Sequence, residues 1–302
     1  MKKLHPRNIH NQDYDFSALT GAHPDLVQYI VDAPESAQSE QKVTINFANP
    51  SAVKALNTAL LNLHYGVKDW DIPEDALCPP IPGRVDYIHH IADLIGEPQP
   101  NGKRRLLDIG TGANGIYPLL AASVYGWQCV GSDISEQSIE NVTSILSRNP
   151  QLSAQVSLRL QQDKHKMFEG VISEGEYFDV SVCNPPFHSS AEEALRGSRR
   201  KVANLNKNKP APKGAPELNF GGMENELWCN GGEALFLKKM IKESKSFAKQ
   251  VGWFTSLVSK SENLKSLQKL ANKSGATDIR VIDMEQGNKK TRILAWTFQQ
   301  IN

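Results

Sequence analysis

The sequence predicts an α/β fold: a doubly wound, mostly parallel sheet that finishes in an antiparallel hairpin, with a helical module ahead of it. Three observations predict it. Between Arg104 and Gln250 short apolar runs alternate with helical segments, and repeated β–α units make a parallel sheet covered by helices on both faces. Beyond Gly275 two strand-like runs follow one another with no helix between them, so they are expected to pair antiparallel. Residues 1–100 carry helical stripes instead of alternating units.

Taken in order, the chain opens with a polar arm, MKKLHPRNIHNQDYDF, whose two lysines precede no apolar run, so it does not read as a secretory signal. In NPSAVKALNTALLNLHYGV, Asn49 is placed as a cap and Pro50 at the first helical position. The expected apolar stripe is Val53, Leu56, Leu60 and Leu63. GRVDYIHHIADLIG predicts a second helix with Val85, Ile88, Ala92 and Ile95 on one face. RRLLDI (104–109) is the first strand of the sheet, GTGANG (110–115) a glycine turn, and IYPLLAASVYG a helix. QCVGSDI (128–134) follows as a strand, with Ser135 placed to cap the helix running through Ile145. Residues 156–163 and 178–183 are strands three and four, and 233–249 is a helix with Leu237, Met240, Ile241 and Ala248 at helical spacing. Residues 251–259 are strand five, SENLKSLQKLANKSG a helix ending at Gly275, and ATDIRVIDMEQ pairs with TRILAWTFQQ through a turn at Gly287-Asn288.

No apolar run approaches the roughly 20 residues that cross a bilayer, and a cytoplasmic protein is expected. The cysteines, Cys78, Cys129, Cys183 and Cys229, stand far apart without a CxxC pair, so neither a metal site nor a disulfide framework is expected. Net charge is +1 and by itself argues for no partner. Its distribution does more: Arg196, Arg199, Arg200, Lys201, Lys207, Lys209 and Lys213 fall in one stretch without an acid.

The turn matches GxGxxG through Gly110, Gly112 and Gly115, with Thr111 between the first two, and Asp133 follows at the spacing of a ribose ligand. Glycines let backbone approach a ligand, and a carboxylate accepts from a cis-diol. NAD and S-adenosylmethionine both present these groups. Asp108 favours the second, since an acid two residues ahead of the first glycine can receive an ammonium but repels a pyrophosphate. Asp163 is placed to accept from the adenine amine.

Strand four ends in Asn184-Pro185-Pro186-Phe187, at the carboxyl edge of the sheet where ligands bind. A planar aromatic amine is a poor nucleophile because its lone pair is delocalised. Two acceptors on its N–H bonds favour rehybridisation and stabilise the developing positive charge. The Asn184 side-chain oxygen is one such acceptor and the Pro185 carbonyl the other, held by the fixed φ of proline. Phe187 offers an extruded base a face to stack on. An oxidoreductase would leave these four residues unexplained.

The strand programme resembles the Rossmann-like class I methyltransferases with seven strands, and the tetrad resembles that of enzymes methylating amino groups of adenine, cytosine or glutamine. Along LHPRNIHNQDYDF, VTINFANPSAVKALNTALL, LCPPIPGRVDYIHHIADLI, LLDIGTGANGIYPLL, VCNPPFHSS, ELWCNGGEALFLKKMI and KTRILAWTF, the chain is similar to bacterial 23S rRNA adenine-N(6) methyltransferases of the RlmF type. It is more loosely similar to the eukaryotic enzyme that methylates spliceosomal small-nuclear RNA. The resemblance implies methyl transfer from S-adenosylmethionine to one adenine, adenine 1618, in large-subunit ribosomal RNA or an assembly intermediate. It also implies that Arg84 reaches the cofactor's carboxylate. The same chemistry on another RNA, on DNA adenine or on a protein glutamine, and a non-catalytic RNA-binding protein, are the alternatives.

The expected organisation is therefore an arm and helical module over 1–100 and a methyltransferase domain over 101–302, carrying a basic insertion at about 188–231. That insertion is the first candidate RNA contact, because a strand with an extruded base needs phosphate partners. Lys2, Lys3, Arg7 and Lys54 make the N-terminal module the second.

Overall fold

A computed structural model of the chain describes residues 4–33, 42–74, 76–96, 102–186, 231–286 and 289–300. A short helix α1 (Phe16–Ala22) is capped by Asp15, whose Oδ1 accepts from Ala18 N at 3.0 Å. An antiparallel pair follows, β1 (Ile30–Asp32) and β2 (Val43–Ile45). Helix α2 (Pro50–Tyr65) starts where its cap and proline predict: Asn49 Oδ1 accepts from Ser51 N at 3.0 Å. Gly66 stops it at φ +65°, a left-handed conformation suited to glycine. Its buried face is Ala52, Ala55, Leu56, Ala59, Leu60 and Leu61, whereas Leu63, expected on that face, is 39% exposed. Helix α3 (Ile81–Ile95) begins two residues ahead of Gly83, because Pro82 is at home in a first turn, where no N–H is needed.

The sheet then forms from β3 (Arg105–Ile109), β4 (Gln128–Asp133), β5 (Val156–Leu160), β6 (Phe178–Cys183), β7 (Val251–Val258), β8 (Asp278–Gln286) and β9 (Lys289–Thr297). Between them run α4 (Ile116–Tyr125), α5 (Glu136–Ser147), α6 (Pro150–Ser153), α7 (Gly232–Ser244) and α8 (Ser261–Ser274). The order is β5-β4-β3-β6-β7-β9-β8. The first five are parallel, and β9 runs antiparallel to both β7 and β8. This is the expected seven-stranded class I arrangement. The turn at Gly287-Asn288 lies outside the described residues.

All eight residues of β7 are buried, as a strand covered on both faces requires. Neighbours within a strand face opposite cores. Leu106 packs in the cluster that contains α2, α3 and α4 residues, and Leu107 in the one that contains Leu237 and Met240 of α7 and Leu267 of α8. The first cluster also holds Phe16, Leu60 and Ile88, so the N-terminal helices and the sheet share one core. Two polar contacts lock them together. Tyr87, fully buried on α3, meets Thr255 Oγ1 of β7 at 2.7 Å, and Trp70 Nε1 donates to Asn114 O of the glycine turn at 3.0 Å.

The described part of the polar arm is tied to α3. Asp86, 1% exposed, accepts through Oδ1 from His5 N at 2.7 Å and Asn8 Nδ2 at 3.0 Å. Arg7 donates through Nη2 to Asp93 Oδ1 at 2.6 Å, and Lys54 donates to Ile72 O at 2.9 Å and pairs with Asp71. These two cations are thus engaged within the protein, while Lys2 and Lys3 lie outside the described residues. Among the described residues no helix is long and apolar enough to cross a membrane.

Asp86→Ala removes the acceptor that His5 and Asn8 share, at a cost of about 1–3 kcal/mol for the donors left behind. Hydrogen exchange should accelerate at residues 5–12 while β3, β6 and β7 stay protected. Unchanged exchange there would show that the segment is held by something else.

Candidate functional site

The strand order reverses between β3 and β6, and a cleft of about 360 Å³ opens at the carboxyl ends of these strands, the place where open α/β sheets bind ligands. Its walls bring together three parts of the chain that the sequence marks separately: the glycine turn, the end of β4, and the end of β6.

The turn folds tightly over β4. Gly110 N and Thr111 N both donate to Ser132 O at 2.9 Å, and Gly112 N donates to Asp133 Oδ2 at 2.9 Å. Gly110 and Gly112 sit at φ +76° and +62°. Gly115 plays a different part: a Cβ there would stand 2.7 Å from Val142 Cγ1, so this glycine lets α4 approach α5 and does not line the cleft. Asp133 lines it and is buried. Its Oδ1 accepts from Ser135 N at 2.9 Å, so each oxygen holds one backbone N–H and keeps acceptor capacity for a diol. Burial raises its pKa against those bonds.

Asp108 is 1% exposed and adjoins the lining residues Ile109, Gly110 and Thr111 without lining the cleft itself. Neither carboxylate oxygen has a hydrogen-bond partner, and the buried Thr111 Oγ1 has none either. Burial pushes the Asp108 carboxyl up to about 7. The nearby Thr111 hydroxyl and Arg84 favour its charged form, and Asp133 opposes it. Arg84 lines the cleft from α3, with Nη1 donating to the Tyr117 hydroxyl at 2.7 Å. A buried acid beneath the glycine turn and an arginine in the cleft wall are charges of the two signs that a zwitterionic end such as an amino acid's would need.

At the end of β6, Cys183, Asn184 and Pro186 line the cleft and Pro185 is buried beside them. Asn184 Oδ1 is buried without a partner, a costly state for an amide oxygen unless a ligand completes it. Phe187 lies outside the described residues, as do Arg196, Arg199, Arg200, Lys201, Lys207, Lys209 and Lys213.

Asp163 does not line the cleft, although its neighbours Lys164 and His165 do. Strand β5 stops at Leu160, and the exposed Asp163 accepts from His165 N at 2.8 Å. Gln161 lines the cleft instead, its Oε1 accepting from Asp163 N at 2.9 Å and its Nε2 donating to Glu169 O at 2.8 Å. Sequence reasoning misses Gln161, Asn114, Tyr117 and Met167. Asn114 had a signal, since its Oδ1 accepts from Ile116 N at 3.1 Å like a cap for α4. The wall carrying Lys166 and Met167 is shaped from far away. Glu243 of α7 accepts from Met167 N, Phe168 N and Glu169 N at 2.9 to 3.1 Å. Among the described residues no group of three His, Cys, Asp or Glu side chains is placed to hold a metal ion.

A family model described as RNA methyltransferase matches residues 1–300. The ribosomal RNA large subunit methyltransferase F of Saccharophagus degradans is 59% identical, with 99% of this chain and 96% of that protein covered. The hMettl16 catalytic domain, solved in complex with MAT2A 3′UTR hairpin 1, aligns with a TM-score of 0.81 at 30% identity, covering 99% of this chain and 96% of its own. The N-terminal domain of human METTL16 in complex with SAH gives 0.77 at 26% identity, covering 99% of this chain and all of its own.

The unpartnered acid makes a prediction with a defined sign. The folded-state pKa of Asp108 lies above the ordinary carboxylate value of 3.8. The native state therefore holds this proton through the window from about 4 to 7, and stability from this group is lost as pH rises through it. Asp108→Asn should raise the thermal midpoint more at pH 8 than at pH 5, and S-adenosylhomocysteine, bringing an ammonium, should narrow the pH 8 difference. An equal shift at both pH values would contradict the burial argument.

Proposed function

The chain belongs to the RNA methyltransferase family, and from that premise we propose that it methylates the N(6) amine of one adenine in large-subunit ribosomal RNA, using S-adenosylmethionine. The observation that carries this reading is the buried, unpartnered Asn184 oxygen, followed by two prolines, in the same cleft as the glycine turn and Asp133. When bound, S-adenosylmethionine supplies a methyl group on a positively charged sulfur, an electrophile for a weakly basic amine.

The residues divide the work. Asp133 accepts from the ribose hydroxyls, and the turn at Gly110-Thr111-Gly112 gives close backbone approach. Arg84 takes the carboxylate as a fork, a pairing stronger than that of neutral partners, and Asp108 provides the negative charge for the ammonium. Gln161, which lines the cleft, takes the cofactor's adenine edge with its side-chain amide, with Asp163 behind it in the same turn. Asn184 accepts one N–H of the target amine, and the carbonyl of Pro185 accepts the other. Positive charge grows on the nitrogen as its bond to carbon forms, and both acceptors strengthen as it does. The excess proton leaves to water once the amine is alkylated, so no tuned base is needed. Phe187 stacks the extruded base, and the cations from Arg196 to Lys213 hold its flanking phosphates.

Large-subunit ribosomal RNA as substrate is supported by the name of the relative from Saccharophagus degradans, and use of S-adenosylmethionine by the SAH complex of human METTL16. Adenine 1618 rests on the family resemblance.

The experiment is transfer of labelled methyl from S-adenosylmethionine to unmodified large-subunit RNA, partly stripped large-subunit particles, small-subunit RNA and duplex DNA, with the labelled nucleoside identified. N(6)-methyladenosine in large-subunit material, at one position, is expected. Label in DNA or small-subunit RNA would overturn the substrate, and label on another atom would overturn the role of Asn184.

A further inference from the structure

Outside the cleft, one surface departs sharply from the near-neutral balance of the chain. Helices α7 and α8 lie over the same core, with Leu237, Met240 and Ile241 of one and Leu267 and Ala271 of the other buried in one cluster. Their outer faces therefore share one side of the molecule. On α7 and the turn after it, Lys238, Lys242, Lys245 and Lys249 recur at intervals of three and four, the spacing of one helical stripe. On α8, Lys265, Lys269 and Lys273 recur every four residues. All seven are exposed.

Between Gly232 and Gly275 the chain has three acids, Glu233, Glu243 and Glu262. Two of them face inward. Glu233 is 1% exposed and accepts from Ser259 N at 2.8 Å and Asn263 Nδ2 at 2.8 Å, and Glu243 holds the amides of 167–169. Glu262, exposed in the first turn of α8 three residues ahead of Lys265, is the one acid of the three left beside the seven lysines. Among the described residues none of the seven forms an ion pair of the kind that Arg7, Arg104 and Arg159 make, a state they share with Lys68, Lys103, Arg148 and Lys164. Alternating signs mark a salt-bridge-laced solvated helix, whereas runs of one sign recur where chains bind nucleic acid.

The stripe also leads somewhere. Phe236 and Lys239, on the same helix, line the cleft. From Lys238 to Lys245 the positive row then runs on for roughly 10 Å at 1.5 Å per residue.

We infer that the joint face of α7 and α8 is a phosphate-binding surface for RNA that flanks the target adenine. The inference rests on the proposed function and extends it, since it assigns the contact to a folded surface distinct from residues 196–213. A rigid stripe of unpaired lysines suits a backbone track, where charge and spacing matter and base identity does not.

The test replaces Lys242, Lys245, Lys269 and Lys273 by Glu together, in the full chain, with a companion carrying Gln at the same four positions. Affinity for an unmodified 23S ribosomal RNA transcript is measured over a salt series, beside affinity for S-adenosylhomocysteine and the thermal midpoint. Four lost phosphate contacts should flatten the slope of log affinity against log salt by about 3, at roughly 0.7–0.9 per contact. The expected result is RNA affinity at least about tenfold weaker in the Glu variant and an intermediate loss in the Gln variant, with S-adenosylhomocysteine affinity unchanged. A Glu variant that fails to fold leaves the Gln variant to decide. Wild-type RNA affinity and slope in the folded variants would overturn this inference alone. A wild type without salt-dependent RNA binding would overturn the proposed substrate as well.

Discussion

Parallel pairing of β3 with β6 sets Ile109 opposite Cys183, and the cleft depends on that register. The strands leave the sheet side by side, one into the glycine turn and the other into Asn184 and its prolines. A slip of one residue would turn every side chain of β6 to the opposite face, burying Asn184 among the helices. The apolar alternation along both strands prevents the slip, because Leu106, Val180 and Val182 belong to one core and Leu107 and Ile109 to the other. Hydrophobic packing thus fixes the position of polar groups that take no part in it.

Those polar groups are held at a cost. Asp108, Thr111 and Asn184 each bury an oxygen without a partner, where most buried polar atoms in proteins have one. The surroundings are built in the opposite manner. Asp133, Glu233 and Glu243 are each bonded to two or more donors, and Asn141 joins the turn to the N-terminal region through Ala113 O and Asp71 O. Well-satisfied neighbours hold an unsatisfied centre in place, which is how a site keeps acceptors oriented before the substrate arrives. The N-terminal region contributes to this rigidity through Trp70, between α2 and α3, and Tyr87 of α3, besides supplying Arg84.

Much of this was legible in the sequence, and the exceptions share a cause. Strands buried on both faces announce themselves as apolar runs, so β3, β4, β6 and β7 fall within a residue or two of their expected bounds. Caps act locally, and Asn49 and Ser135 do what their position predicts. Elements of three or four residues, β1, β2 and α6, are too short to show a period. Strand β5 ends at Leu160, ahead of the expected end at Asp163, where the Gln161 side chain bonds Asp163 N and Glu169 O. Nothing in the sequence pairs Glu243 with amides some 75 positions earlier, or Asp86 with His5. Contacts of that kind are made by the topology, after the pattern has done its part.

The account's central claim is that the Asn184 amide oxygen is an acceptor for the reacting amine. Single-turnover methyl transfer by the wild type, Asn184→Ala and Asn184→Asp, each saturated with S-adenosylmethionine, tests it most directly. The account predicts a loss of about 10²-fold or more for the alanine variant, the scale of removing one transition-state partner, with most of the rate restored by aspartate, which keeps an acceptor there. A wild-type rate in the alanine variant, or an aspartate variant as slow as alanine, would contradict it.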